Sequence, residues 1–361
     1  MKCLLSRFGL VLAVFFGLSC SAVAVEFEDG FTAYHQQDYA KALKELKPLA
    51  IAGNPNAQAY LGLMYDKARG VPQDDVEAIK WFRLAAAQGV VTAQINLAIM
   101  LAAGRGSEKD DVESVKWFRA AADQGHPVAQ FNLGMAHLKG VGAVQDDKVA
   151  ATWFRLAADQ GSALGQNNLG LMYYLGRGVP QDFRQAEKWF LLAANQGDVN
   201  AQKTLSQMYF EGLGVEQNQV VALKWLRVAA TQGEASVQAN VGKMYALGLG
   251  TQPDFAEAIK WFLLAAEQAD ADAQRALGTI YANGDGVRSN KVIAFALFTL
   301  SERNTTSKSA AKSSAVQFTT RLAATMNMAE IEAANSLVSE LSKPKNFLRA
   351  LDHYVQKSAL R

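Results

Sequence analysis

Cysteine is almost missing from this 361-residue chain, and the two present, Cys3 and Cys20, lie near its start. Lys2 and Arg7, an apolar run from Phe8 to Leu18 and the small-x-small sequence Ala22-Val23-Ala24 read together as a secretory signal peptide, with cleavage expected before Val25. A lipid anchor on Cys20 is the lesser expectation, because Gly17 stands where such signals carry an aliphatic residue. Cleavage would remove both cysteines, which excludes a disulfide framework, a cysteine metal site and a catalytic thiol. Long apolar runs are lacking too: after the leader none reaches the roughly 18 residues of a membrane span, so a soluble exported protein is expected. Charge is scarce at 19%, and once Lys2 and Arg7 leave, 34 basic side chains face 34 acidic ones, a net charge of zero. Nothing in that balance calls for nucleic acid. Only four histidines occur, His35, His126, His137 and His353. No two have metal-ligand spacing and no Ser, His and Asp visibly converge, so neither metal, cofactor nor catalysis is expected. Half the residues are hydrophobic, enough for a packed core.

What the chain does have is a period. Trp81, Trp117, Trp153, Trp189, Trp225 and Trp261 are each 36 residues apart, and the register extends back to Glu45 and on to Leu297. A fixed period of this size signals stacked repeats. Asp38, Asp74, Asp110, Asp146, Asp182, Asn218, Asp254 and Asn290 recur as helix N-caps. Gly53, Gly89, Gly125, Gly161, Gly197 and Gly233, then Ala269, recur as left-handed helix stops. Between cap and stop lies a second helix, in which Ala78, Trp81, Phe82 and Ala85 recur at helical spacing; the Trp series reads as core. A first helix is expected from the recurring Ala-Gln (Ala57-Gln58, Ala93-Gln94) to a Gly-x-Gly turn such as Gly176-Arg177-Gly178. A small residue within it (Gly62, Ala98, Gly134, Gly170, Ser206, Gly242, Gly278) lets it press on its neighbour. The Gly-x-Gly follows no strand and recurs in every unit, so it is turn chemistry rather than a phosphate cradle.

The pattern AQxNLGxMYxxGxGVPQDxxxAxxWFRxAAxQG resembles the Sel-one-like repeat family, a relative of the tetratricopeptide repeats, over roughly residues 54–300. Residues 25–53, with FTAYHQQDYAKALKEL, look like a tetratricopeptide hairpin acting as the first unit. The resemblance implies an all-α, right-handed superhelical solenoid, adaptor roles in signalling or envelope complexes, and first helices lining the concave surface. Some cysteine-rich members are linked to β-lactam hydrolysis, but their disulfide-stitched repeats have no counterpart here. Residues 301–361 depart from the pattern: SERNTTSKSAAKSS (301–314) reads as a polar loop running into a helix, MAEIEAANSLVSEL (328–341) as an amphipathic capping helix, and 343–361 as a short helix or frayed tail. This end carries nine basic and five acidic side chains, and is read as a solvated cap surface that offers at most weak contact to an acidic partner or membrane surface.

Function is sought where the repeat stops repeating. Fourteen and eighteen residues past each Trp position the pairs are Ala59/Leu63, Ile95/Ile99, Phe131/Met135, Asn167/Leu171, Lys203/Gln207, Ala239/Lys243 and Arg275/Thr279. This face is apolar in the earlier units and polar to basic in the later ones. An apolar group of Ile95, Ile99, Phe131, Met135, Leu171 and Tyr174, and a polar group of Lys203, Gln207, Lys243 and Arg275, are the candidate partner-binding residues; the competing expectation is that the apolar side chains pack between first helices. The expected function is a non-enzymatic adaptor that binds a protein or peptide in the bacterial periplasm or outside the cell. Glycan binding through Phe131, Tyr174 and Phe210, or hydrolysis of a β-lactam or peptidoglycan, are the alternatives.

Overall fold

A computed structural model describes residues 27–305 and 310–359, so the leader, with Cys3 and Cys20, lies outside the described residues. Helix α1 covers 27–35. It is followed by α2 (Tyr39–Ile51), α3 (Pro55–Asp66), α4 (Asp75–Ala87), α5 (Val91–Ala103), α6 (Asp111–Asp123), α7 (Pro127–Lys139), α8 (Asp147–Asp159) and α9 (Ala163–Leu175). Then come α10 (Phe183–Asn195), α11 (Val199–Glu211), α12 (Gln219–Ala230), α13 (Ala235–Leu247), α14 (Phe255–Glu267), α15 (Ala271–Asn283), α16 (Lys291–Asn304), α17 (Ala310–Ala323), α18 (Met328–Leu341) and α19 (Phe347–Ala359). No strand occurs among the described residues, and the fold is an all-α helical-repeat solenoid. The chain divides into two units, Met1–Gln181 and Asp182–Arg361.

Capping chemistry sets the helix starts. Each second helix opens on an Asp or Asn whose side chain accepts first-turn N–H groups: Asp74, Asp110 and Asp146 in the first unit, Asp182, Asn218, Asp254 and Asn290 in the second. First helices begin two residues ahead of the recurring Ala-Gln, capped by Asn54, Ser162, Asp198 or Asp270, but without a side-chain cap at Val90, His126 and Glu234. The stops are left-handed, and Ala269 adopts that conformation at φ +63° without being glycine.

Within each hairpin the small residue works as expected. A Cβ on Gly62 would lie 2.7 Å from the Phe82 ring, and Gly134 is equally tight against Phe154, as are Gly242 and Gly278 against Phe262 and Phe298 in the second unit. The second glycine of each turn packs between hairpins. A Cβ on Gly106, Gly142 or Gly178 would run into the main-chain carbonyl of Asp75, Asp111 or Asp147, at the start of the preceding second helix. In the second unit Gly250 meets Gln219 in the same way.

The tryptophans are not the centre of the core. All six are half-buried, whereas in five units the next residue, Phe82, Phe118, Phe154, Phe190 or Phe262, is buried; Leu226, after Trp225, is half-buried. One residue along a helix is a 100° turn, which carries Phe into its own hairpin and leaves Trp at the seam with the preceding one. Trp117 and Trp153, for example, pack on clusters that contain Phe82 and Phe118 of the preceding hairpin, respectively.

The repeat geometry also outlasts Leu300. Helix α16 continues through Ser301–Asn304, correcting the expected polar loop at those residues, and 306–309 lie outside the described residues. Helix α18 follows, opened by a reciprocal capping box between Asn327 and Glu330, and α19 is the short helix, rather than the frayed tail, of the two alternatives expected there. Leu337, Val338, Leu341, Phe347 and Leu351 close the second unit's core over α14 and α16.

Candidate functional site

Side-chain hydrogen bonds tie the repeats together before any surface is free to bind. Buried Gln58, Gln94 and Gln130 each donate to a carbonyl of the preceding helix, Ala50, Ala86 and Ala122. Their Oε1 atoms accept from Gln88, Gln124 and Gln160 of the same hairpin at 2.8–2.9 Å, and those glutamines also donate back to the carbonyls of Gly53, Gly89 and Gly125 in the preceding hairpin. The second unit repeats the ladder with Gln232 on Gln202 and Gln268 on Gln238, and Asn304 on Gln274 supplies its last rung. The sequence shows both glutamines at fixed positions, so the pairing was there to be found. The Ala-Gln by itself marks only a helix start, and its partner glutamine stands 30 residues on.

A second joint is ionic. Between the turn glycines, Arg105 donates to both oxygens of Asp75 and to Asp66 at 2.6 Å, and Arg177 donates to both oxygens of Asp147. Burial alone would raise the Asp66 carboxyl, but hydrogen bonds from Lys67 and Arg105 outweigh it and hold the group below its ordinary value. At the N-terminus Arg69 instead donates to the Tyr34 hydroxyl and lies over the rings of Tyr34 and Tyr39. His137 stands in for tyrosine: Arg119 meets it as Arg155 meets Tyr173 one repeat later. Among the described residues no group of three or more His, Cys, Asp or Glu side chains could hold a metal ion, and no helix is long and apolar enough to cross a membrane.

With those contacts assigned, the candidate face can be read position by position. In the first unit neighbouring first helices touch, α3 on α5 and α7 on α9. The side chain fourteen residues past the Trp position faces that seam. Ile95 is only 8% exposed and packs with Ala98, Phe118 and Leu133, so its expected place on an exposed patch is corrected: it supports the surface from beneath. Phe131 is half-buried, its ring 5.9 Å from that of Phe154. Four residues on, one helical turn higher, the side chains stand clear: Ile99 is 44% and Leu171 37% exposed, with Met135 half-buried. Ile95 at position fourteen therefore packs inward, whereas Ile99 and Leu171 at position eighteen are exposed. Tyr174 is half-buried, as is Phe210 in the second unit.

In the second unit most of the basic character is internally neutralised. Lys203 pairs with Glu234 at 2.9 Å, and its hydrogen bond is the main reason that the Glu234 carboxyl lies below its ordinary value. Gln207 donates to Glu211. Arg275 gives one guanidinium nitrogen to Asp272 at 2.9 Å, while its buried Nε has no acceptor. Lys243 is exposed. Lys243 and Arg275 line one groove of about 590 Å³ formed by α13, α15 and parts of α14.

A family model described as "Sel1 repeat" matches seven consecutive segments, 55–90, 91–126, 127–162, 163–198, 199–234, 235–270 and 271–304. Among solved structures, a Sel1 repeat protein from Oxalobacter formigenes is 32% identical, with 66% of this chain and 96% of that one covered and a TM-score of 0.61. A protective antigen from uropathogenic Escherichia coli displaying an SLR fold is 28% identical, with 92% and 87% covered and a TM-score of 0.47. No curated protein matches the chain.

Proposed function

The chain belongs to the Sel1 repeat family, whose members are protein-interaction scaffolds and typically non-catalytic, and from that premise we propose that it is a bacterial cell-envelope adaptor that holds a protein or peptide partner on its first-helix face. The observation that carries the reading is the row Ile99, Met135 and Leu171. Ile99 and Leu171 are left in water at 44% and 37% exposure, although the same helices bury every position the scaffold needs. Apolar side chains held clear on rigid helices are what an amphipathic helix or an extended peptide can cover. The leader-like start, with Lys2, Arg7 and Ala22-Val23-Ala24, supports export.

The test is proximity capture in the native host with the full chain, comparing wild type with Ile99→Asp plus Leu171→Asp. Both side chains are exposed, so the variant keeps its helical signal and its melting midpoint. Partner recovery is expected to fall at least roughly tenfold, as for losing two anchors of an interface. Unchanged recovery by the folded variant overturns the proposal.

A further inference from the structure

The groove in the second unit has an unmet hydrogen-bonding need of one kind. Its floor is apolar, with Phe262 and Ile280 each 4% exposed, and Leu247, 58% exposed, is among the residues that line it. Three carboxylates line it as well, and each already has a partner: Asp270 accepts the Ala273 N–H at 2.8 Å as a helix cap, Asp272 accepts from Arg275, and Asp285 accepts from Asn283 at 3.0 Å. The cations are different. Arg275 keeps a buried Nε without an acceptor, and Lys243 has no partner among the described residues. That Nε is closed to a ligand, but the Arg275 side chain is 33% exposed and only one of its terminal nitrogens is engaged, by Asp272. The strongest acceptor for a guanidinium and an ammonium is a carboxylate.

We propose that this groove binds an extended peptide segment at an acidic side chain flanked by apolar residues, its carboxylate between Lys243 and Arg275 and its apolar neighbours over Phe262, Ile280 and Leu247. This rests on the adaptor reading above and names the partner chemistry at one of its surfaces. The apolar floor favours the flanking residues, and the two cations favour a carboxylate over the weaker acceptor of a neutral amide.

The test uses the full chain and three labelled peptides followed by fluorescence anisotropy: acetyl-Gly-Leu-Glu-Leu-Gly-amide, its Gln counterpart, and Gly-Leu-Gln-Leu-Gly with a free C-terminal carboxylate. The Glu peptide is expected to bind roughly tenfold more tightly than the Gln peptide, as for one charge-assisted hydrogen bond to a partly desolvated cation. Lys243→Gln, an exposed change that leaves the fold intact, should bring the two to equal affinity, and added salt should narrow the gap in wild type. Equal binding of the Glu and Gln peptides, no binding of either, or an unaltered preference in folded Lys243→Gln overturns the inference. Binding of the free-terminus peptide alone overturns it in favour of C-terminal recognition. The capture experiment with Ile99 and Leu171 draws on residues of the other unit, so failure of one reading is distinguishable from failure of the other.

Discussion

In the first unit, two of the turns are tied to the preceding hairpin by an arginine on an aspartate, Arg105 on Asp75 and Arg177 on Asp147. At the corresponding positions the second unit has Leu213 with Phe183, and Leu249 with Gln219. The first unit already does without the pair twice: Arg69 turns to Tyr34, and where Val141 stands between the glycines Asp111 turns to Lys109. Across all of them the second turn glycine still packs against the start of the earlier second helix. The comparison teaches that the joint is made by backbone geometry, and that the side chain between the glycines is free to follow local chemistry.

The sharpest way to break this comparison is to fill the glycine. Gly106→Ala in the first unit and Gly250→Ala in the second should each cost about 4 kcal/mol or more, combining a left-handed backbone with a collision against a carbonyl. Gly89→Ala, with nothing within 4 Å of its Cβ, should cost only about 1–2 kcal/mol. Urea unfolding midpoints would measure all three, and a large difference between the first two would mean that the units are not joined alike. Phe154→Ala should cost roughly 3–5 kcal/mol and exceed Trp153→Ala, with Phe262 and Trp261 in the same order in the second unit. Should Trp dominate in either unit, the division between core Phe and seam Trp fails. Gln94→Leu and Gln238→Leu each strand a partner glutamine and should lose about 1–3 kcal/mol in both units.

Smaller effects should separate the units. Arg105→Leu removes one of two cations from buried Asp66 and should cost roughly 1–2 kcal/mol at neutral pH. The Asp66 carboxyl is depressed in the folded chain, so its stabilisation is present above the ordinary value of 3.8 and is lost as pH falls through the lower folded value. The gap between wild type and variant should therefore narrow in acid; a gap that persists would show that the arginine acts by packing alone. The second unit has the opposite case at Tyr209. Burial first, then its hydrogen bond to Glu187, pushes this hydroxyl from 10.0 to about 12. Its contribution is full below pH 10 and declines as pH rises toward 12, so Tyr209→Phe should flatten the alkaline limb of the thermal stability profile.

Much of this architecture is legible in the sequence because it depends on local chemistry. Asp74 caps and Gly104 stops a helix whatever surrounds them. What was not legible depends on how one hairpin rotates against the next. Trp81 and Phe82 are both large and apolar, and only the angle between helices decides which enters the core. Ile95 and Ile99 lie a turn apart on one helix face and differ because Ile95 packs among Phe118 and Leu133 of the two following helices, whereas Ile99 stands exposed. Likewise Lys203 reads as a free cation until Glu234, 31 residues on, is placed beside it.

The glutamine ladder has a consequence for how such a chain can change length. Each block's paired glutamines donate to two carbonyls of the block before, and its own second helix offers the same two carbonyls to the block after, so a 36-residue segment duplicated within a unit would arrive with both of its connections already matched. Deleting one would leave edges that still fit. Asn304 shows that the series can be ended by shortening a single side chain, with the amide kept. A gene built this way can gain or lose whole blocks by recombination without redesigning its joints, and the number of repeats becomes a quantity that selection can adjust to the length of the partner.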